Sequence, residues 1–191
     1  MLRPLHASRP DSAPPERHQR GRTLVELVVA LAIGAVLVAL AMPAYHHWIA
    51  RQEQSNAATA LLAALSLART EAMKRGLRVD LCPSDDGAVC SATGRWENGW
   101  IVFADADRNG HRGPAEDVVR VEAAMRPGVS IRGNKPVASY VSFTDTGHAR
   151  LASGALQMGS FDICRRGQSL LQVVLANGGR ARLQPTATPC P

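Results

Sequence analysis

No G-x-S-x-G, H-E-x-x-H or P-loop pattern occurs in the 191 residues. The motifs that place a serine nucleophile, a zinc pair or a triphosphate are therefore missing, and an enzymatic function finds no support. Cysteine is sparse. The four present, Cys82, Cys90, Cys164 and Cys190, show neither C-x-x-C spacing nor a His-x3–5-His partner, which excludes the common structural zinc patterns. Aromatic residues make up 4% of the chain, and none accompanies the basic motif near the C-terminus, so no stacking platform for reading bases stands there. Acidic residues thin out along the chain: residues 77–122 hold nine against five basic side chains, residues 123–191 only two against eight. Internal repeats are absent.

One long stretch lacks charge altogether. From Leu27 to Met42 there is no Asp, Glu, Lys or Arg, and counted back to Leu24 the apolar block is about 20 residues, one bilayer crossing. Residues 1–21 precede it with Arg3, Arg9, Arg17 and Arg20 against Asp11 and Glu16, and Pro4, Pro10, Pro14 and Pro15 exclude a helix there. A positive, unstructured cytoplasmic leader is expected. Glu26 is the anomaly, because a carboxylate just inside an apolar span is costly and requires a partner or a task. Ala39-Leu40-Ala41 can serve as the cleavage site of an ordinary secretory signal, but the long leader and the intrusive Glu26 argue against that route. In an exported chain the four cysteines read as two disulfides. Three pairings are possible; Cys82–Cys90 with Cys164–Cys190 is favoured, one local and one pinning the C-terminus.

The run Gly21-Arg22-Thr23-Leu24-Val25-Glu26 and the apolar stretch after it resemble the class III signal of type IV prepilins. In that family a glycine precedes the cleaved bond and a glutamate is the fifth residue after it; here these are Gly21 and Glu26. The resemblance implies that a prepilin peptidase cuts between Gly21 and Arg22 and methylates the new N-terminus, and that the apolar helix is retained. It further implies that Glu26 pairs with the N-terminal amine of a neighbouring subunit in the filament, the kind of partner a buried charge requires. The chain departs from the family pattern in having Arg22, not Phe, as first mature residue. Pro43 stands where pilin helices usually bend.

Spacing predicts one helix from Thr23 to Arg75. Beyond Pro43, Leu61, Leu62, Leu65, Ala68, Ala72 and Met73 form an apolar stripe, with Arg51, Gln52, Glu53, Gln54, Arg69 and Lys74 away from it. From Leu77 the pattern changes to strands at Leu77–Cys82, Trp100–Ala104, Val118–Glu122, Ser139–Thr144, Phe161–Cys164, Leu170–Leu175 and Arg180–Gln184, separated by glycine-containing turns. The expected fold class is α+β, a long hydrophobic helix with an antiparallel head on its C-terminal half. The expected divisions are a cleaved leader at 1–21, a membrane or filament-core half of the helix at 22–48, an amphipathic half at 49–76 and a β-rich head at 77–191. The head resembles the GspH/FimT group of minor pilins and pseudopilins. The matching pieces are Ala68-Arg69-Thr70-Glu71-Ala72, the Cys82–Cys90 loop, Trp96 with Gly99-Trp100-Ile101-Val102-Phe103-Ala104-Asp105, Phe143 with Gly147, and Gly179-Arg180-Ala181-Arg182.

Arg180 and Arg182, two apart in a strand, point the same way, and paired guanidinium groups can each contact a phosphate. FimT-like minor pilins with a G-R-x-R motif at this place bind DNA, so the resemblance implies a DNA site at Gly179, Arg180 and Arg182. Lys135, Arg150, Arg165 and Arg166 are candidates to extend the basic patch. Asp105, Asp107, Asn109 and Gly110, followed by Glu116, match an EF-hand loop in spacing. Strands flank this loop, however, Gly113-Pro114 sits where a second helix would begin, and Arg112 replaces an apolar residue. The expectation is an acidic turn with Asx-type bonding and no cofactor, with calcium at Asp105, Asp107, Asn109 and Glu116 as the weaker alternative.

The function that follows is a minor pilin, matured by prepilin peptidase, inserted among other major and minor pilins and binding DNA for uptake in natural transformation. Before assembly it would cross the inner membrane once with its head in the periplasm, and afterwards stand on the pilus at the cell surface. The alternative is a GspH-like pseudopilin of a type II secretion system with an assembly role. A secreted enzyme or ligand-binding domain behind a conventional signal is the third reading; a mature N-terminus at Met42 instead of Arg22 identifies it.

Overall fold

The structure, a computed structural model, describes residues 23–190, apart from the side chains of residues 43, 44 and 46. The expected leader and the Gly21–Arg22 bond lie outside the described residues. Helix α1 spans Leu24–Arg75. The Thr23 hydroxyl accepts the N–H of Glu26 at 3.3 Å, an N-cap that satisfies one of the helix's free donors. Glu26 occupies the first turn, and Lys74 and Arg75 the last, so each charge sits at the helix end whose dipole favours it. Glu71 pairs with Lys74 at 3.5 Å and with Arg75 at 2.7 Å, closing the last turn.

Two compact units divide the chain between Met42 and Pro43. In the first, every large apolar side chain of α1 from Leu24 to Met42 is more than half exposed. A surface of this kind requires lipid or other helices around it. In the second unit the remainder of α1 joins eight strands: β1 Val79–Pro83, β2 Trp100–Ala104, β3 Val118–Glu122, β4 Val129–Gly133, β5 Val141–Phe143, β6 Gly159–Arg165, β7 Ser169–Leu175 and β8 Ala181–Pro189. They form two antiparallel sheets, ordered β3-β2-β1-β5 and β4-β6-β7-β8.

Ala58, Leu61, Leu65, Ala68 and Ala72 of α1 are buried, and they share one core with Val79, Leu81, Trp100 and Phe143 of the first sheet and Phe161, Ile163, Val173 and Leu175 of the second. Trp96 stands edge-on to Phe161 with ring centroids 5.1 Å apart and donates its indole N–H to the carbonyl of Ala138 at 3.0 Å. The stripe differs from expectation in three places. Gln54 is buried, and its amide donates to the carbonyls of Ile163 at 2.7 Å and Ser169 at 2.9 Å. It falls in phase with Ala58 and Leu61, and a buried amide is tolerated there because both its donors are used. Arg69 also turns toward the sheets, as described below, whereas Met73 is 45% exposed.

Strand β4 was not among the expected strands. Its Val129 and Ile131 face the core and alternate with Ser130 and Arg132, but five residues after Pro127-Gly128 carry a weak period-2 signal. Strand β8 runs five residues past the expected end, through Pro185. As the edge of its sheet, it has a side where a missing N–H breaks no ladder. The favoured disulfides are those formed, Cys82–Cys90 and Cys164–Cys190.

Candidate functional site

The β7–β8 turn is built on contact between two glycines far apart in sequence. Gly179 adopts a φ of +75°, and a Cβ there would overlap the carbonyl oxygen of Gly147. Gly147, with φ +76°, is less crowded, since a Cβ would meet side-chain atoms, Met73 Sδ at 2.8 Å and Arg69 Nε at 3.1 Å, but its left-handed backbone still favours glycine. Arg69 Nε donates to the Gly147 carbonyl at 2.9 Å, so one arginine of α1 anchors the 144–147 turn against which the Gly179 turn rests. The Arg69, Gly147 and Gly179 segments, three of the pieces that carry the sequence resemblance, meet at this point. Arg69 is the functional residue that residue-by-residue reading missed; its place in the Ala68–Ala72 motif was the available signal.

This anchoring sets what the turn displays. Ala176 N–H donates to the Arg180 carbonyl at 2.9 Å, which extends the β7–β8 ladder one step beyond Ala181. Val174 pairs with Arg182 and Leu175 with Ala181. Since Val173 and Leu175 face the core, the alternation sends Arg180 and Arg182 to the solvent face. Both are exposed. Among the described residues no carboxylate pairs with either: Arg182 donates to Gln184 Oε1 at 3.2 Å, and the Arg180 guanidinium has no hydrogen bond.

The other basic candidates do not gather around this pair. Arg165 closes the opposite end of β6, about 20 Å along the strand at roughly 3.3 Å per residue. Its guanidinium is already committed, to Glu53 at 2.9 Å and to the Pro127 carbonyl. Arg166 is exposed at that same far end. Lys135 is exposed in a short 3-10 turn after β4, where Asn134 N–H bonds the Ser160 carbonyl, at the Gly159 end of β6 that pairs with Leu175. Arg150 follows the Gly147 turn by three residues, and its guanidinium donates to the Gly154 carbonyl at 3.3 Å. The basic surface is thus divided between two ends of the second sheet, with Lys135 at the Arg180 end.

A second cluster lies in the loop between β2 and β3. One oxygen from each of Asp105, Asp107 and Glu116 lies within 4.8 Å of the others. Asp105 is buried and accepts the N–H groups of Asn109 and Gly110, each at 3.1 Å. Glu116 accepts those of Ala106 and Gly113, each at 2.8 Å. Asn109 donates to Asp107 at 2.7 Å and accepts the His111 N–H at 2.6 Å, the Asx-type bonding expected of the turn. Beneath the loop Asp80 is wholly buried in β1. Burial pushes its pKa up to about 8, with the Ser142 hydroxyl drawing it down and the Asp105 carboxylate driving it further up.

Residues 57–179, more than half of the chain, match the family model of the type II transport protein GspH. The chain belongs to the GspH family. Residues 17–42 match the prokaryotic N-terminal methylation motif. Among curated relatives, a fimbrial protein of Moraxella nonliquefaciens is 32% identical over 77 residues, 40% of this chain and 42% of that protein. The fimbrial protein EcpC of Eikenella corrodens is 46% identical over 39 residues, 20% of this chain and 26% of that protein. The chain thus spans well under half the length of the curated relatives it matches. Among solved structures, the type IV minor pilin FimU of Pseudomonas aeruginosa superposes with a TM-score of 0.56 at 20% identity, covering 72% of this chain and 96% of that one. At that identity the likeness shows the fold, an α+β type IV pilin fold. This GspH-family chain therefore joins an N-terminal methylation motif to a head of type IV pilin fold. The methylation motif and the exposed apolar helix fit a membrane-anchored pilin with a periplasmic head.

Proposed function

We propose that this protein is a minor pilin of a type IV pilus that binds DNA without sequence preference and serves its uptake in natural transformation. The observation that carries the reading is the pair Arg180 and Arg182, exposed on the solvent face of an edge strand with no carboxylate partner among the described residues. Unpaired guanidinium groups are free to meet phosphates, and the buried Gly147–Gly179 contact holds their turn in place before any ligand arrives. Lys135, at the same end of the second sheet, is the remaining candidate to extend the contact; Arg165 is held by Glu53. No aromatic platform adjoins the pair, so phosphate contacts dominate and affinity falls steeply with salt. In this proposal prepilin peptidase cuts between Gly21 and Arg22, residues 22–48 enter the membrane and then the filament, and Glu26 pairs with the terminal amine of a neighbouring pilin.

The test is DNA binding by the mature chain in detergent, across a salt series, for wild type and Arg180→Ala/Arg182→Ala. Weak binding to unrelated duplexes is expected in wild type. The double variant should lose affinity and show a log–log salt slope shallower by about 1–2 units. Identical behaviour of the two proteins would leave the arginines as a solvated face and favour the pseudopilin role in type II secretion.

A further inference from the structure

We propose that the end of the second sheet opposite Arg180 is a surface for anionic phospholipid headgroups, engaged while the apolar helix is in the bilayer, with Arg51 and Arg166 as its free contacts. The inference is independent of the DNA reading, which leaves this end without a task. Four arginines meet there. Arg165 ends β6, and Arg166 opens the turn to β7. Arg165 reaches Glu53 of α1 at 2.9 Å and the Pro127 carbonyl, which brings in Arg126 beside Pro127. Gln168, in the same turn, donates to the His47 carbonyl at 3.5 Å and shares a groove with Arg51. Residues 45–56, 125–130 and 164–169 thus gather four arginines against one carboxylate, Glu53.

Three of the four are unspent. Glu53 is taken by Arg165. Glu122, which shares a groove with Arg126, pairs with Arg120 at 3.3 Å. Arg51, Arg126 and Arg166 are exposed, and none has an ion-pair partner among the described residues. Guanidinium groups in this state favour phosphate, which they can bind through two N–H donors. Beside Arg165 and Arg166 an open groove of about 690 Å³, walled by Ala50, Pro127, Gly128 and Ser130, leaves room for a headgroup.

Chain connectivity selects lipid as the source of that phosphate. Tyr45 and Trp48 follow Met42 within six residues, 59% and 62% exposed, with their rings stacked 6.3 Å apart. Exposed aromatic rings just past an apolar span mark a membrane–water interface. Arg51 stands three residues beyond Trp48, a neighbouring position on the helix surface. From Met42 to Ala50 is eight residues, about 12 Å of helix. The headgroup layer is about 5–8 Å thick on each side of a bilayer, and long arginine side chains close the difference. DNA, itself a polyanion, is repelled from an anionic bilayer, so the phosphates within reach of this end are those of the membrane.

The test uses the mature chain in phosphatidylcholine nanodiscs that carry a minor fraction of either phosphatidylglycerol or phosphatidylcholine with a quencher on its headgroup. Trp96 and Trp100 are fully buried in the head, so quenching of tryptophan emission reports on Trp48. The phosphatidylglycerol label should quench at a mole fraction about fivefold lower than the phosphatidylcholine label, the preference that one basic side chain near an anionic surface supplies. High salt should shrink that preference. Arg51→Gln/Arg166→Gln should reduce it to below about twofold and leave Tm unchanged, since neither side chain has an ion pair to lose. Equal quenching by the two labels in wild type, or a preference unchanged in the double variant, would overturn the assignment. So would a loss of duplex DNA affinity in that variant with the lipid preference intact, which would give this end to DNA.

Discussion

Gly179 offers the sharpest test of how the arginine turn is built. A methyl group at Gly179 would overlap the Gly147 carbonyl oxygen and stand 3.2 Å from the Gly147 carbonyl carbon and 3.3 Å from Arg69 Nε. Two of these three atoms belong to backbone, which cannot swing aside as a side-chain tip can. The left-handed conformation costs alanine roughly 1–2 kcal/mol. Relieving the overlap pulls the two turns apart and stretches the 2.9 Å bond from Arg69 to Gly147, a charge-assisted bond of about 1.5–3 kcal/mol. Gly179→Ala should therefore destabilise the head by about 3 kcal/mol, a Tm fall of roughly 6–12 °C for a domain of this size. Gly178→Ala is the control: a Cβ there meets nothing within 4 Å and needs no left-handed backbone, so its effect should stay within about 0.5 kcal/mol. Thermal unfolding of both variants beside wild type decides the matter. Equal effects at the two positions would refute the claim that the Gly147–Gly179 contact sets the turn.

Two further predictions concern stability. Asp80 has a pKa of about 8 in the folded protein against an ordinary value of 3.8, so the native state holds a proton that the unfolded chain releases. Its contribution is full below about pH 3.8, declines as pH rises toward 8 and is lost above it, with a slope of at most about 1.4 kcal/mol per pH unit. Wild type should unfold more readily at pH 8 than at pH 5 and Asp80→Asn should flatten that difference; parallel profiles would mean that Asp80 titrates like an exposed carboxylate. Removing the Cys164–Cys190 bridge, which closes a separation of 26 residues, should cost about 3.5 kcal/mol. Removing Cys82–Cys90, with a separation of 8, should cost about 2.5 kcal/mol. Denaturant unfolding of the two serine double variants gives the order, and a larger loss from the shorter loop would contradict the loop-entropy account.

Much of the fold was legible because it rests on local patterns. Periodicity of 3.6 marks α1, and the unbroken apolar stretch from Leu27 marks the part that needs lipid or other helices. Glycine turns and alternation locate most of the strands. The misses share a cause. Gln54 and Arg69 are polar by type, and polarity alone does not reveal that two carbonyls or a glycine turn wait across the core. Strand β4 is short, and its two inward residues, Val129 and Ile131, become decisive only when paired with β6.

The sequence by itself determined a long apolar helix, an antiparallel head and an even set of four cysteines, because those follow from hydrophobic run length, residue periodicity and composition. Tertiary structure alone decided which of the basic residues stand together. The order β4-β6-β7-β8 sends Arg165 and Arg166 to one end of the sheet and Arg180 to the other. It also decided that Asp80 would be buried beneath Asp105, since their proximity arises from the β1–β2 register. Contacts between residues tens of positions apart are set by strand order and register, and no local pattern in the chain encodes them.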